Sequence, residues 1–118
     1  MVRAIRGAIT VKENTTEEII RGTKDLLNQA IKANDLKQDD MISIIFSVTE
    51  DLNAAFPAVA AREIGLTDVP LICTNEINVP ESLKKCIRFL MHVETDKAKS
   101  EIKHVYLEGA KVLRPDLT

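Results

Sequence analysis

Over residues 86–93 apolar side chains recur at every second position, the rhythm of a strand packed on one face. Ile87, Phe89, Met91 and Val93 share the wholly apolar face, and Cys86, Arg88, Leu90 and His92 share the other. Residues 1–11 predict a first strand, with Val2, Ala4, Arg6, Ala8 and Thr10 opposite Arg3, Ile5, Gly7, Ile9 and Val11. Gly7 marks a bulge or a close backbone approach. Residues 41–48 predict another strand, with Ile42, Ile44, Phe46 and Val48 on one side and Met41, Ser43, Ile45 and Ser47 on the other. A short strand over 68–73 contains Pro70, which suits an edge or a strand start. The last apolar segment, 104–113, reads either as strand throughout or as a strand ending in a helical turn.

Between these strands the period changes to that of a helix. Ile19, Ile20, Thr23, Leu26, Leu27, Ala30 and Ile31 form one stripe over 15–34, with Thr15 and Glu18 spaced as a capping box. A short helix is predicted over 57–64, with Pro57 at its first turn and Gly65 to end it. One helical turn is predicted over 81–85 and a loop over 74–80. The pattern is that of an α+β fold: a mixed sheet of about five strands, covered on one face by a long helix and a short one. The 118 residues suit one domain, 1–118, without repeat, linker or low-complexity run.

Composition narrows the functional classes. The chain is 45% hydrophobic and 29% charged, a globular balance. Three Phe, one Tyr and no Trp leave little with which to stack bases, and a net charge of −2 gives no general attraction to nucleic acid or anionic lipid. No apolar run is long enough for a membrane span and no signal-peptide pattern opens the chain. Cys73 and Cys86 lie far apart without a CxxC, which fits a reducing cytoplasm better than a disulfide framework. His92 and His104 lack metal-ligand spacing, so a metal is not expected, and the four glycines form no phosphate loop.

What stands out is arginine within strands. A guanidinium stays charged at any relevant pH and is costly to bury unpaired. Arg88 therefore needs an acidic side chain, an anionic ligand, or a strand end that reaches solvent. Arg6 repeats the pattern, with a solvated strand charge as its ordinary explanation. Arg88, Arg6 and Tyr106 fall on the sheet face away from the helices, with Glu76 on a nearby loop. Guanidinium forks bind carboxylates bidentately, so this set suits a small polyanion. One long helix cannot cover both faces of such a sheet, so self-association is expected, with a site between subunits.

Several segments, in this order and spacing, resemble the monofunctional chorismate mutases of the α/β pseudo-barrel class. They are Arg3-Ala4-Ile5-Arg6-Gly7-Ala8, Thr49-Glu50-Asp51-Leu52, Ala55-Phe56-Pro57-Ala58, Ala61-Arg62-Glu63, Val69-Pro70, Lys84-Lys85-Cys86-Ile87-Arg88, His104-Val105-Tyr106-Leu107 and Val112-Leu113-Arg114-Pro115-Asp116-Leu117. The resemblance implies an isomerase that converts chorismate to prephenate by a Claisen-type rearrangement, on the route to phenylalanine and tyrosine. It implies a homotrimer closing into a pseudo-α/β-barrel, with sites at the subunit interfaces and no cofactor or metal. It carries over Arg88 as the cation at the breaking ether bond, Arg6 as the grip on a carboxylate and Glu76 as acceptor from the ring hydroxyl. Tyr106, Cys73, Leu71 and Ile72 become substrate contacts. Phe56 and Ala58 become an apolar wall supplied by the neighbouring subunit, and Arg62 and Arg114 peripheral charges. Val59 departs from the charged residue some relatives carry there, and no longer tail is expected beyond Leu117. The competing expectations are a non-catalytic trimeric module binding a small dicarboxylate, and an interfacial imine deaminase.

Overall fold

The computed structural model describes residues 1–113. The strands are β1 (Val2–Thr10), β2 (Met41–Val48), β3 (Leu71–Asn75), β4 (Cys86–Glu94) and β5 (Val105–Leu107), with helices α1 (Thr16–Ala33) and α2 (Pro57–Glu63). They form one mixed sheet in the order β3-β2-β4-β1-β5. β4 lies antiparallel to β1 and β2, while β1–β5 and β2–β3 are parallel. This is the expected α+β architecture.

The core fills the space between one sheet face and the two helices. Ile5, Ile9, Ile44, Phe46, Ile87 and Met91 from the sheet meet Ile19, Leu26, Leu27 and Ala30 of α1. The alternation within β4 is the predicted one: all four of its odd-numbered residues from Ile87 to Val93 are buried. Gly7 pairs with Phe89, and a Cβ at Gly7 would lie 2.5 Å from the Phe89 ring, so glycine here serves close approach and not a bulge.

Four local expectations are corrected. A register shift between Met41 and Ser43 turns Met41 into the core and leaves Ile42 exposed, because a bulge inserts one residue and swaps the faces before it. β3 begins after Pro70, which has no N–H for the ladder, and runs on to Asn75. Residues 81–85 form no helical turn; Glu81 and Lys85 both have positive φ, 66° and 49°. At α1, Thr15 accepts from the Glu18 N–H at 3.1 Å, but Glu18 reaches past Thr15 to the Lys12 N–H, so the box is not reciprocal. The last segment resolves into β5 followed by a 3-10 helix over Glu108–Leu113. Arg114 lies outside the described residues.

Candidate active site on the uncovered sheet face

Strand pairing builds the site. Ser47 is opposite Thr74 on one side and Arg88 on the other; Arg88 is opposite Ala8, and Ala8 opposite Tyr106. A single row, Thr74–Ser47–Arg88–Ala8–Tyr106, thus crosses all five strands on the face turned away from the helices. Arg88 occupies its centre, on β4, the middle strand of the five.

Alanine and serine beside Arg88 leave room above the sheet for the guanidinium. Glu76, just past β3, closes one end. Its backbone N–H donates to Val48 C=O at 2.8 Å, and its Oε1 accepts from Ser47 Oγ at 2.7 Å. Arg88 Nε lies 3.8 Å from the same oxygen. That is an ion pair, but it exceeds hydrogen-bond range. Arg88 Nε is buried and has no hydrogen-bond partner among the described residues; the same is true of the Tyr106 hydroxyl. Buried polar groups are nearly always paired, so two unpaired ones on one row call for an explanation.

At the Tyr106 end, Ala8, Cys86, Tyr106 and Ala110 form a second small core, joined by Leu83 and Leu113. Burial pushes the Cys86 thiol above its ordinary value against the opposing pull of Arg88, so it is a neutral packing group at neutral pH. Arg6 stands two residues from Ala8 on the same face, exposed, opposite Leu90. Its backbone N–H donates to His104 Nδ1 at 2.9 Å.

The structure therefore brings Arg88, Glu76, Arg6, Tyr106 and Ile72 to one face. Among the described residues, it does not bring Leu71, Cys73, Phe56, Ala58 or Arg62 there. Leu71 and Cys73 alternate onto the helix side of β3, half-buried against the core, so their side chains point away from Arg88. Phe56 is 69% exposed beside Cys73 at the strand end, Ala58 is buried in the chain's own core, and Arg62 is exposed on the last turn of α2. Ala58 and Arg62 belong to the helix layer, and Phe56 stands beside Thr74 at the end of the row, outside the Arg88–Glu76 ion pair. Thr74, Ser47 and Ala8 are the members of the row that sequence reasoning assigned no role; Ser47, which bonds Glu76, is the candidate for function among them, and its place away from the helices was legible. Among the described residues no cluster of His, Cys, Asp and Glu is arranged to hold a metal ion, and no helix is long and apolar enough to cross a membrane.

Comparison with known proteins gives a consistent answer. Residues 2–117 match the family described as "Chorismate mutase type I". The chain is 50% identical over 119 residues to "Chorismate mutase AroH" of Bacillus subtilis (strain 168), covering 100% of this chain and 94% of the relative. It is 49% identical over 118 residues to "Chorismate mutase AroH" of Thermus thermophilus, covering 99% and 97%. Among solved structures it superposes on a chorismate mutase from Clostridium thermocellum with a TM-score of 0.92 and 61% identity, over 93% of this chain and 98% of that one.

Proposed function

The chain belongs to the type I chorismate mutase family, and from that premise we propose that Arg88 is the catalytic cation of its reaction. The activity is that of an isomerase of aromatic amino acid biosynthesis, converting chorismate to prephenate. In this rearrangement one C–O bond breaks as one C–C bond forms within the same molecule. No nucleophile and no proton transfer are needed, which suits a site without a nucleophile–base pair. Two tasks remain: to hold the dicarboxylate in its compact conformer, and to stabilise negative charge growing on the ether oxygen.

The observation that carries the assignment is the buried, unpaired Arg88 Nε at the centre of the row. Its charge is only partly balanced by Glu76 at 3.8 Å, so the guanidinium keeps donors for an anionic oxygen. A preformed cation in a partly dry site gains most where charge develops. Glu76, oriented by Ser47, accepts from the ring hydroxyl. Arg6 grips a carboxylate, and the Tyr106 hydroxyl meets the substrate from the far end of the row. Ile72 gives apolar contact, while Leu71 and Cys73 act through the backbone of β3.

The whole chain, 1–118, works as one domain and in the cytoplasm. Its uncovered face has apolar Ile45 and Ile72 at 38% and 58% exposure beside the charged row. Covering that face with copies of the same chain yields a homotrimer with sites between subunits. Phe56 then supplies an apolar wall from the neighbouring chain, seated by Ala58 beneath it in that chain's core, and Arg62 and Arg114 join as peripheral charges.

The test is chorismate consumption by purified protein beside Arg88→Ala prepared identically. Wild type converts chorismate rapidly, and Arg88→Ala loses on the order of 10²-fold or more in kcat, as for removal of an oxyanion donor. Arg88→Lys restores only part, because a point charge does not reproduce the fork. Near-normal turnover by Arg88→Ala would overturn the assignment.

A further inference from the structure

We infer that Asp51 is a positioning residue for Arg88, fixing the start of β4 at the height that sets the guanidinium against Glu76. The inference rests on the reading of Arg88 as the catalytic cation.

The turn after β2 is bonded to both arms of the site. Val48 C=O accepts from the N–H of Glu76 at 2.8 Å. One residue on, the Thr49 N–H donates to Cys86 C=O at 3.1 Å, and Thr49 Oγ1 accepts from the Cys86 N–H at 3.0 Å. Asp51 completes the clamp. Its carboxylate accepts from the Thr49 hydroxyl, and both its oxygens receive the Lys85 N–H, at 3.2 and 3.0 Å.

Lys85 sits at φ 49°, a left-handed conformation that a residue with a Cβ resists. The neighbouring 81–85 segment has no helix to impose it. The carboxylate aims the Lys85 N–H inward while the Lys85 C=O accepts from the Val11 N–H at 2.9 Å, so Asp51 fixes the side of that residue that the β1 pairing leaves open. Three residues later along a ladder-bonded strand stands Arg88. A shift at 85–86 therefore moves the guanidinium relative to Glu76, whose own anchor at Val48 stays in place. Asp51 lines a cleft of about 220 Å³ together with Glu76 and the 77–84 loop. It acts through Lys85 and Cys86, not on the substrate.

The experiment compares kcat and KM, well below each melting temperature, for wild type, Asp51→Asn, Asp51→Ala and Asp51→Ala combined with Lys85→Gly. A misplacement of about 1 Å costs on the order of 10²-fold, so Asp51→Ala loses roughly 10- to 100-fold in kcat with a much smaller change in KM. Asp51→Asn, which keeps one acceptor oxygen, falls between. Glycine adopts positive φ without help, so adding Lys85→Gly recovers most of the lost kcat. That recovery distinguishes positioning through residue 85 from general loss of stability. An unchanged kcat in Asp51→Ala, or no recovery with Lys85→Gly, overturns the inference. If Asp51→Ala does not fold, Asp51→Asn with and without Lys85→Gly makes the same comparison. Arg88→Ala decides the underlying reading separately: inactive Arg88→Ala beside fully active Asp51→Ala sinks only the role of Asp51.

Discussion

Glu76 keeps its carboxylate on the sheet face because Ser47 Oγ donates to Oε1 and Arg88 Nε draws the same oxygen from 3.8 Å. A hydrogen bond to a charged group contributes about 1.5–3 kcal/mol, and part of that goes to fixing the rotamer. Ser47→Ala is therefore expected to lower kcat/KM by about 10-fold while leaving the melting temperature almost unchanged, since Ser47 is not in the helix-side core. Steady-state kinetics beside thermal unfolding checks this, and an unaltered kcat/KM would remove Ser47 from the site. Cys86 makes a different prediction. Its folded-state pKa is raised by burial, so the neutral thiol contributes stability that is full below the ordinary value of 9.0 and lost as pH rises past it. Denaturant unfolding of wild type and Cys86→Ala should show a constant stability difference at neutral pH that narrows above pH 9.0. At this scale Arg88 was legible because a mid-strand arginine conflicts with its surroundings. Ser47 was not, since a serine alternating outward on a strand is also what a solvated face looks like.

Periodicity revealed α1, β1 and β4 because each packs one full side against the core. It failed where backbone accounting, not burial, decides the element. The bulge at Ile42 is invisible to alternation, since Met41 and Ile42 are equally apolar. β3 was placed too early because Val69 is buried like a strand residue, while Pro70 has no N–H to donate and joins the ladder only through its C=O, which accepts from the Ile44 N–H at 3.0 Å. The 81–85 segment has helical composition, yet Asp51 takes the Lys85 N–H and Thr49 the N–H of Cys86 that follows it. The start of α1 shows the same competition. Hydrogen bonding from Arg21, and then from the Lys12 N–H, holds the Glu18 carboxyl below its ordinary 4.5. A lowered carboxyl contributes stability that is present above the unfolded value and lost as pH falls through the folded one. Wild type should hold a constant advantage over Glu18→Gln above pH 4.5 and lose it on acidification below. Urea unfolding of the two proteins at several acidic pH values measures that difference. An advantage that persists at the acid end would show that Glu18 acts through packing.

On the scale of the whole molecule, the sheet has one finished face and one unfinished face. The finished face buries its large apolar side chains beneath α1 and α2. On the other, Ile45 and Ile72 remain 38% and 58% exposed on either side of the β2–β3 pairing, beside a row containing two buried unpaired polar atoms. A lone chain has no reason to dry those atoms while leaving those isoleucines wet. Copies packed on this face would cover the isoleucines and bring the 69% exposed Phe56 of one chain to the Arg88 of the next. Assembly and turnover should then be lost together. Ile45→Asp places a charge in the centre of the proposed interface, on the side of β2 opposite the core. It should leave the monomer fold intact by circular dichroism, shift sedimentation from trimer to monomer, and lower kcat at least as far as Arg88→Ala does. A monomeric Ile45→Asp with normal turnover would place the complete site within one chain. A trimeric Ile45→Asp would mean that the interface lies elsewhere on the surface.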